Sequence, residues 1–217
     1  MNSSFMPPAV TEIAQQYDNL YAFILSASFF ACFILIGGMI YFVIKYKRKS
    51  SNDKTAYISH NSTLEFLWSF IPFVIFMVVF GWGWHIYHQM RHFPDNALEI
   101  HVLAQKWNWT FQYKSGKNSL KDLVVPVNTP VKLILSSKDV IHSFYVPSMR
   151  IKQDAVPGRY TALWFESKHL GDFQVFCAEF CGDQHSAMFA KIKVVTMEEY
   201  EKWLKETDFS RMDGQNL

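Results

Sequence analysis

The stretch CAEFCGDQHSAM, from Cys177 to Met188, gathers two thiols, an imidazole and a thioether. A disulfide is the first chemistry to weigh for Cys177 and Cys181. A C-x3-C pair closes so short a loop, however, that little chain entropy is removed. Two thiolates facing one way suit a shared metal better. The neighbours choose the metal: His185 offers nitrogen and Met188 offers thioether sulfur, which zinc sites rarely use, and this soft set selects copper. If two coppers are each to have a histidine, one more is needed. His142, in DVIHSFYVPS after the apolar run VKLILSS, is the best candidate, at an expected strand end. The third cysteine, Cys32, lies in an apolar run and reads as core filling.

These residues must be held by the rest of a 217-residue chain that is half hydrophobic and only 18% charged. The apolar residues are bunched. Leu20 to Ile44 and Phe66 to Trp84 carry no charge, and each is long enough to cross a bilayer as a helix. Pro72 inside the second run is tolerated in a membrane helix, where neighbouring groups re-satisfy the backbone. Trp68, Trp82, Trp84 and Tyr87 cluster toward its ends, as interfacial aromatics do. The adjacent Gly37 and Gly38 permit close packing against another helix. No Lys or Arg precedes the first run, which argues against a cleaved signal peptide. Lys45, Lys47, Arg48, Lys49 and Lys54 place the connecting loop inside and both termini outside.

The expected organisation is therefore a leader over 1–19, membrane helices over 20–46 and 63–92, an inside loop over 47–62, and a copper domain over 95–217. In that domain LEIHVLAQKW, WNWTFQY, VKLILSS, YTALWFE, FQVFCAEF and FAKIKVV are spaced as strands. Turns at Ser115-Gly116, Pro126 to Pro130 and Pro157-Gly158 separate several of them. This density of short strands predicts a β-sandwich or Greek-key barrel. A helix over 197–207 carries Tyr200, Trp203 and Leu204 on one face, ahead of a polar tail. The domain has 15 basic and 15 acidic residues, with no footprint for nucleic acid.

The pieces HSFYVPS, KQDAVPGR and CAEFCGDQHSAM, with the two-helix anchor and the aromatic WNW, make the chain resemble cytochrome c oxidase subunit II. The resemblance implies an all-β, cupredoxin-like Greek-key barrel holding a dinuclear copper A centre. By that resemblance Cys177 and Cys181 bridge both coppers. His142 and Met188 complete one metal, and His185 with the Glu179 carbonyl completes the other. The Glu179 side chain is implied to reach a magnesium ion shared with the catalytic subunit. Trp107 matches the tryptophan through which electrons arrive. Glu65, in EFLW, matches a glutamate at the mouth of a proton channel, and Asp139 and Asp154 match acids that dock the donor.

The same resemblance implies partners and a place. The partners are a heme-bearing catalytic subunit and other oxidase subunits, a cytochrome c or related c-type donor, and membrane lipid, with heme held only by the partner. Oxygen reduction and proton pumping belong to the complex, not to this chain alone. The absence of a presequence favours a bacterial inner membrane over a mitochondrial one, with the copper domain on the periplasmic face.

Plainer readings stand beside some of these. Trp107 and Trp109 share a face of an expected strand and, by composition, are core or interface residues. Glu65 is a first-turn acid favoured by the helix dipole. His85, His88 and His92 form a polar helix end, since no carboxylate or thiolate accompanies them. A neutral domain with Lys138, Arg150 and Lys152 near the docking acids gives weak electrostatic steering. A membrane-anchored copper chaperone or thiol reductase also carries C-x3-C with a distant histidine, but needs neither Met188 nor WNW and has a thioredoxin-like fold. The quinol-oxidase relative of this subunit lacks the copper ligands. Nitrous oxide and nitric oxide reductases share the copper motif but not the two-helix anchor with Glu65.

Overall fold

A computed structural model describes residues 6–206. The chain divides into two compact units, residues 18–87 and a second made of the chain's beginning together with everything from His88 onward.

The first unit contains most of two long helices, α1 (Glu12–Lys45) and α2 (Ser62–Arg91). The apolar stretch of neither is buried, which separates them from the core helices of a soluble protein. The helices approach where a Cβ at Gly83 would meet Leu20 at 3.8 Å, and the rings of Phe23 and Trp82 lie 6.0 Å apart. Nothing lies close to Gly37 or Gly38 among the described residues. At the start of α2 the Asn61 carboxamide accepts the Leu64 N–H at 3.1 Å, and Glu65 accepts the Asn61 N–H at 3.1 Å. These bonds satisfy backbone donors that a helix start leaves open.

Helix α1 begins at Glu12, well inside the expected 1–19 leader. The reason is local: Thr11 is buried and its hydroxyl accepts the Ala14 N–H at 3.1 Å, a side-chain cap that extends the helix beyond its apolar run. The residues just before it belong to the second unit. Val10 is buried in the β core, its N–H donates to the Ser148 carbonyl at 3.0 Å, and its carbonyl accepts the Lys168 N–H at 3.2 Å. Arg150 donates to the Pro7 carbonyl at 2.7 Å. The segment is a strap across the β domain.

Among the described residues that domain has ten strands in two five-stranded sheets. The first sheet contains β1 (Leu98–Gln105), β2 (Asn108–Tyr113), β3 (Asn118–Leu120), β5 (Val131–Ser137) and β8 (Thr161–Phe165), in the order β3-β2-β1-β5-β8. The second contains β4 (Asp122–Pro126), β6 (His142–Val146), β7 (Ile151–Ala155), β9 (Gly171–Cys177) and β10 (Phe189–Val195), in the order β4-β10-β9-β6-β7. Burial alternates along β2, where Trp109, Phe111 and Tyr113 face inward, and along β5. This is the period of a strand with one wet face.

The expected closed barrel is not formed. The chain passes from one sheet to the other five times, and two of these crossings, β3 to β4 and β7 to β8, are sharp corners. At Lys121 (φ 66°) the N–H bonds the Trp109 carbonyl and the carbonyl accepts the Lys191 N–H. At Pro157 the ring removes the donor that a continuing ladder would need. The architecture is cupredoxin-like, with two curled sheets packed face to face. Between them Phe144 meets Trp109 edge-on at 5.2 Å and Phe111 at 6.3 Å. The Tyr113 hydroxyl donates to the Val124 carbonyl and accepts the Val124 N–H, joining β2 to β4. Burial pushes that phenol well above its usual pKa. Helix α3 (Met197–Lys205) opens on a capping box of Thr196 and Glu199. It packs Trp203 edge-on against Tyr113 at 4.9 Å. The end of the predicted helix at Thr207 and the polar tail lie outside the described residues.

Candidate metal centre

His142 opens β6 and Cys177 ends β9, and the two strands are paired antiparallel, with Phe144 opposite Cys177. The sheet thus fixes one histidine and one cysteine. The loop after β9 supplies the rest and is tied down at both ends. The Ala178 N–H donates to the Ser143 carbonyl at 2.9 Å, and the Cys177 N–H to the Met188 carbonyl at 3.2 Å. Within it a short 3-10 turn, His185–Ala187, presents His185, and the His185 N–H is held by the Gly182 carbonyl at 3.0 Å.

The Cys177 and Cys181 sulfurs lie 3.8 Å apart, so they are unbonded thiols. His142 Nδ1 lies 3.9 Å from Cys177 Sγ, and the Glu179 carbonyl 3.2 Å from the same sulfur. His185 Nδ1 lies 3.5 Å from Cys181 Sγ, and the Met188 sulfur 3.8 Å from it. His142, Met188 and both cysteines are buried, whereas His185 is half-buried. Burial and then the adjacent Cys177 thiol push the Cys181 thiol up to about 12. A cation between the sulfurs removes that penalty, because a coordinating thiol gives up its proton. Among the described residues, His142, Cys177 and Cys181 form the one compact group of three such ligands. His85, His88 and His92 form none, and the rings of His88 and His92 stack at 6.5 Å.

Trp107 is not on a strand. It sits in the turn between β1 and β2, because Gln105 and Asn108 already close the hairpin as a pair. The shared face expected for Trp107 and Trp109 is therefore lost. Trp109 is fully buried and meets the His142 ring at 6.1 Å, while Trp107 is only half-buried. A Cβ at Gly182 would lie 3.3 Å from the Trp107 ring, and Gly182 has φ +115°. Only glycine fits both demands without strain. The indole thus rests on the residue that follows Cys181.

Asp139 and Asp154 flank His142. Asp139 accepts hydrogen bonds from His142 Nε2 at 2.8 Å, the Lys106 N–H at 2.7 Å and the Val140 N–H at 2.7 Å. Burial raises the Asp139 pKa, but the hydrogen bonds from His142, Lys106 and Val140 outweigh it and hold the carboxyl at about 2. Asp154 is exposed and accepts from the Ser143 hydroxyl at 2.7 Å. Glu179 is exposed, and Glu65 belongs to the other unit, in the first turn of α2. Sequence reasoning missed the bond between Asp139 and His142, although their i, i+3 spacing was a usable signal. It also missed Phe180, which is 77% exposed and lies 5.8 Å from the His185 ring.

Two family profiles match the chain: "Cytochrome C oxidase subunit II, transmembrane domain" over residues 1–82 and "Cytochrome C oxidase subunit II, periplasmic domain" over residues 117–195. The "Alternative cytochrome c oxidase subunit 2" of Bradyrhizobium diazoefficiens is 31% identical, covering 82% of this chain and 76% of that protein. The chain belongs to the cytochrome c oxidase subunit II family. The subunit 2 of Cereibacter sphaeroides is 28% identical, covering 92% of this chain and 78% of its own. The solved periplasmic domain of subunit II from Bradyrhizobium japonicum superposes with a TM-score of 0.51 at 30% identity, covering 52% of this chain and 95% of that one.

As a subunit II, the protein is integral to the bacterial inner membrane and carries a periplasmic copper-binding domain. It transfers electrons toward the heme-copper oxidase complex of which it is a part. Oxidoreductase activity belongs to that assembly, with its catalytic heme subunit, in the lipid bilayer. The thiol-reductase alternative does not fit the fold: the domain is built on strands, and the helical layers of a thioredoxin-like domain are absent among the described residues.

Proposed function

We propose that the periplasmic domain holds a dinuclear copper A centre that accepts single electrons from a cytochrome c or related c-type donor. The observation that carries this is the pattern of distances around the two sulfurs. His142 Nδ1 and the Glu179 carbonyl lie beside the Cys177 sulfur, and His185 Nδ1 and the Met188 sulfur beside the Cys181 sulfur. By the family resemblance, His142 with Met188 would complete one metal and His185 with the Glu179 carbonyl the other, with both thiolates bridging. A copper pair bound there supplies one reversible electron shared between two metals. The chain's own part is to keep the ligands still. Both strands and the 3-10 turn are hydrogen-bonded on either side of the site, so little geometry changes with charge. The Trp107 indole, over Gly182, gives the donor a partly exposed contact one residue from Cys181.

The test is metal analysis and an optical spectrum of the purified complex. Two coppers per chain and a purple mixed-valence spectrum support the reading. One zinc and no copper, or a single blue band, overturns it.

Met188 is the ligand that tunes more than it holds. Met188→Leu keeps the paired-copper spectrum, shifts the reduction potential and slows electron transfer, because a weak axial donor sets potential. Loss of all copper in this variant would make Met188 a primary ligand instead.

Three further roles belong to the same reading. The exposed Glu179 carboxylate would be a ligand for a magnesium ion shared with the catalytic subunit, and Asp154, with Asp139, offers negative charge to the donor. Glu65 collects protons for the catalytic subunit while also capping α2, since one carboxylate oxygen bonds the Asn61 N–H. Glu65→Ala slows steady-state turnover but leaves electron transfer from donor to copper unchanged, and Glu65→Asp keeps part of the rate. Wild-type turnover with reduced assembly would leave Glu65 as a helix cap only.

A further inference from the structure

We propose that Asp139 is the positioning residue of the site, locking the His142 ring and the Trp107 turn into one register. The inference rests on the ligand assignment above, in which His142 Nδ1 faces the metal. His142 is fully buried, and Nδ1 points to Cys177 Sγ at 3.9 Å. The proton of the neutral ring is then on Nε2, which donates to Asp139 Oδ1 at 2.8 Å. A carboxylate in this position fixes both the tautomer and the tilt of a ligating imidazole.

The carboxylate is itself immobilised. Oδ1 also accepts the Val140 N–H at 2.7 Å and the Ser137 hydroxyl at 3.3 Å. Oδ2 accepts the Lys106 N–H at 2.7 Å. Lys106 immediately precedes Trp107, and the next residue along from Asp139's other side is tied to the same hairpin, since the Lys138 N–H donates to the Ala104 carbonyl at 3.0 Å. One oxygen therefore holds a metal ligand and the other holds the turn that presents the indole. Asp139 does more than lend charge to the surface. It lies at the surface with its side chain 30% exposed, yet its oxygens accept from the two groups that build the site, His142 Nε2 and the Lys106 N–H.

The test uses the intact complex with Asp139→Ala, Asp139→Asn and, as a control on the ligand assignment, His142→Ala. Copper retention against a chelator, the reduction potential, the histidine nitrogen hyperfine coupling and the ionic-strength dependence of the donor reaction are measured. Asp139→Ala loses about 10- to 100-fold in copper affinity, shifts the potential and alters the histidine coupling, in addition to any flattening of the salt dependence from its lost charge. Asp139→Asn, which keeps an acceptor oxygen, retains most of the affinity and guards against a folding artefact. Unaltered copper properties with a higher apparent KM for donor and a flatter salt dependence would overturn the proposal and leave Asp139 as a docking acid alone. A His142→Ala variant that keeps its paired copper overturns the ligand assignment itself and the proposal with it.

Discussion

Replacing Cys177 or Cys181 with serine abolishes the paired-copper signal and leaves at most one loosely held metal. Each sulfur sits between two other donors: Cys177 is beside His142 and the Glu179 carbonyl, Cys181 beside His185 and Met188. A serine hydroxyl at either place offers a hard oxygen that stays protonated near neutral pH and cannot bridge soft metals. The loss is specific to the site, since serine is close in volume to cysteine and the flanking strands keep their pairing. Copper analysis and the optical spectrum of the purified variant read the result. A Cys177→Ser complex with two coppers and the purple spectrum would show that bridging comes from elsewhere.

Trp107→Ala has the next largest effect and falls on a different observable. The copper spectrum is unchanged, because no atom of Trp107 is among the donors. The rate of electron arrival from the c-type donor falls sharply, because the contact through the indole is lost. The indole fills the space over Gly182, and alanine leaves a gap across which the electron must tunnel. Stopped-flow oxidation of the donor measures this directly. Unchanged turnover at saturating donor would place the contact elsewhere on the domain, with the exposed Phe180 the next residue to examine.

The cluster of His142, Cys177 and Cys181 was legible because both thiols fall in one short segment and His142 is marked by its place after an apolar run. The six quoted strand segments all correspond to strands. The four unquoted strands lack the alternation that signals a strand. β4 is buried at four consecutive positions and ends in Pro126, β6 is buried at its first three, β3 is very short, and β7 reads IKQDA, largely polar. Closure of a barrel is a question of long-range pairing, which local pattern does not encode. The strand pattern of WNW ran on through Trp107 because hairpin turns obey register, and register was not visible. Asp139 is a surface acid, as its charge suggests, but its bonds to His142 Nε2 and the Lys106 N–H are not visible in sequence.

The strap formed by the residues ahead of α1 has a consequence for how the protein is made. Val10 fills a place in the β core and bonds to Ser148 and Lys168, residues synthesised long after it. The copper domain is therefore not a bead hung from one thread. Residues ahead of α1 close against residues of the β domain, so in the folded chain both lie on the same side of the membrane. A chain whose first helix inserts backwards leaves the Val10 groove open, with apolar surface exposed and Ser148 and Lys168 lacking their backbone partners. The strap thus ties the start of the chain to the β domain, and a chain without it leaves Val10's place in that core unfilled.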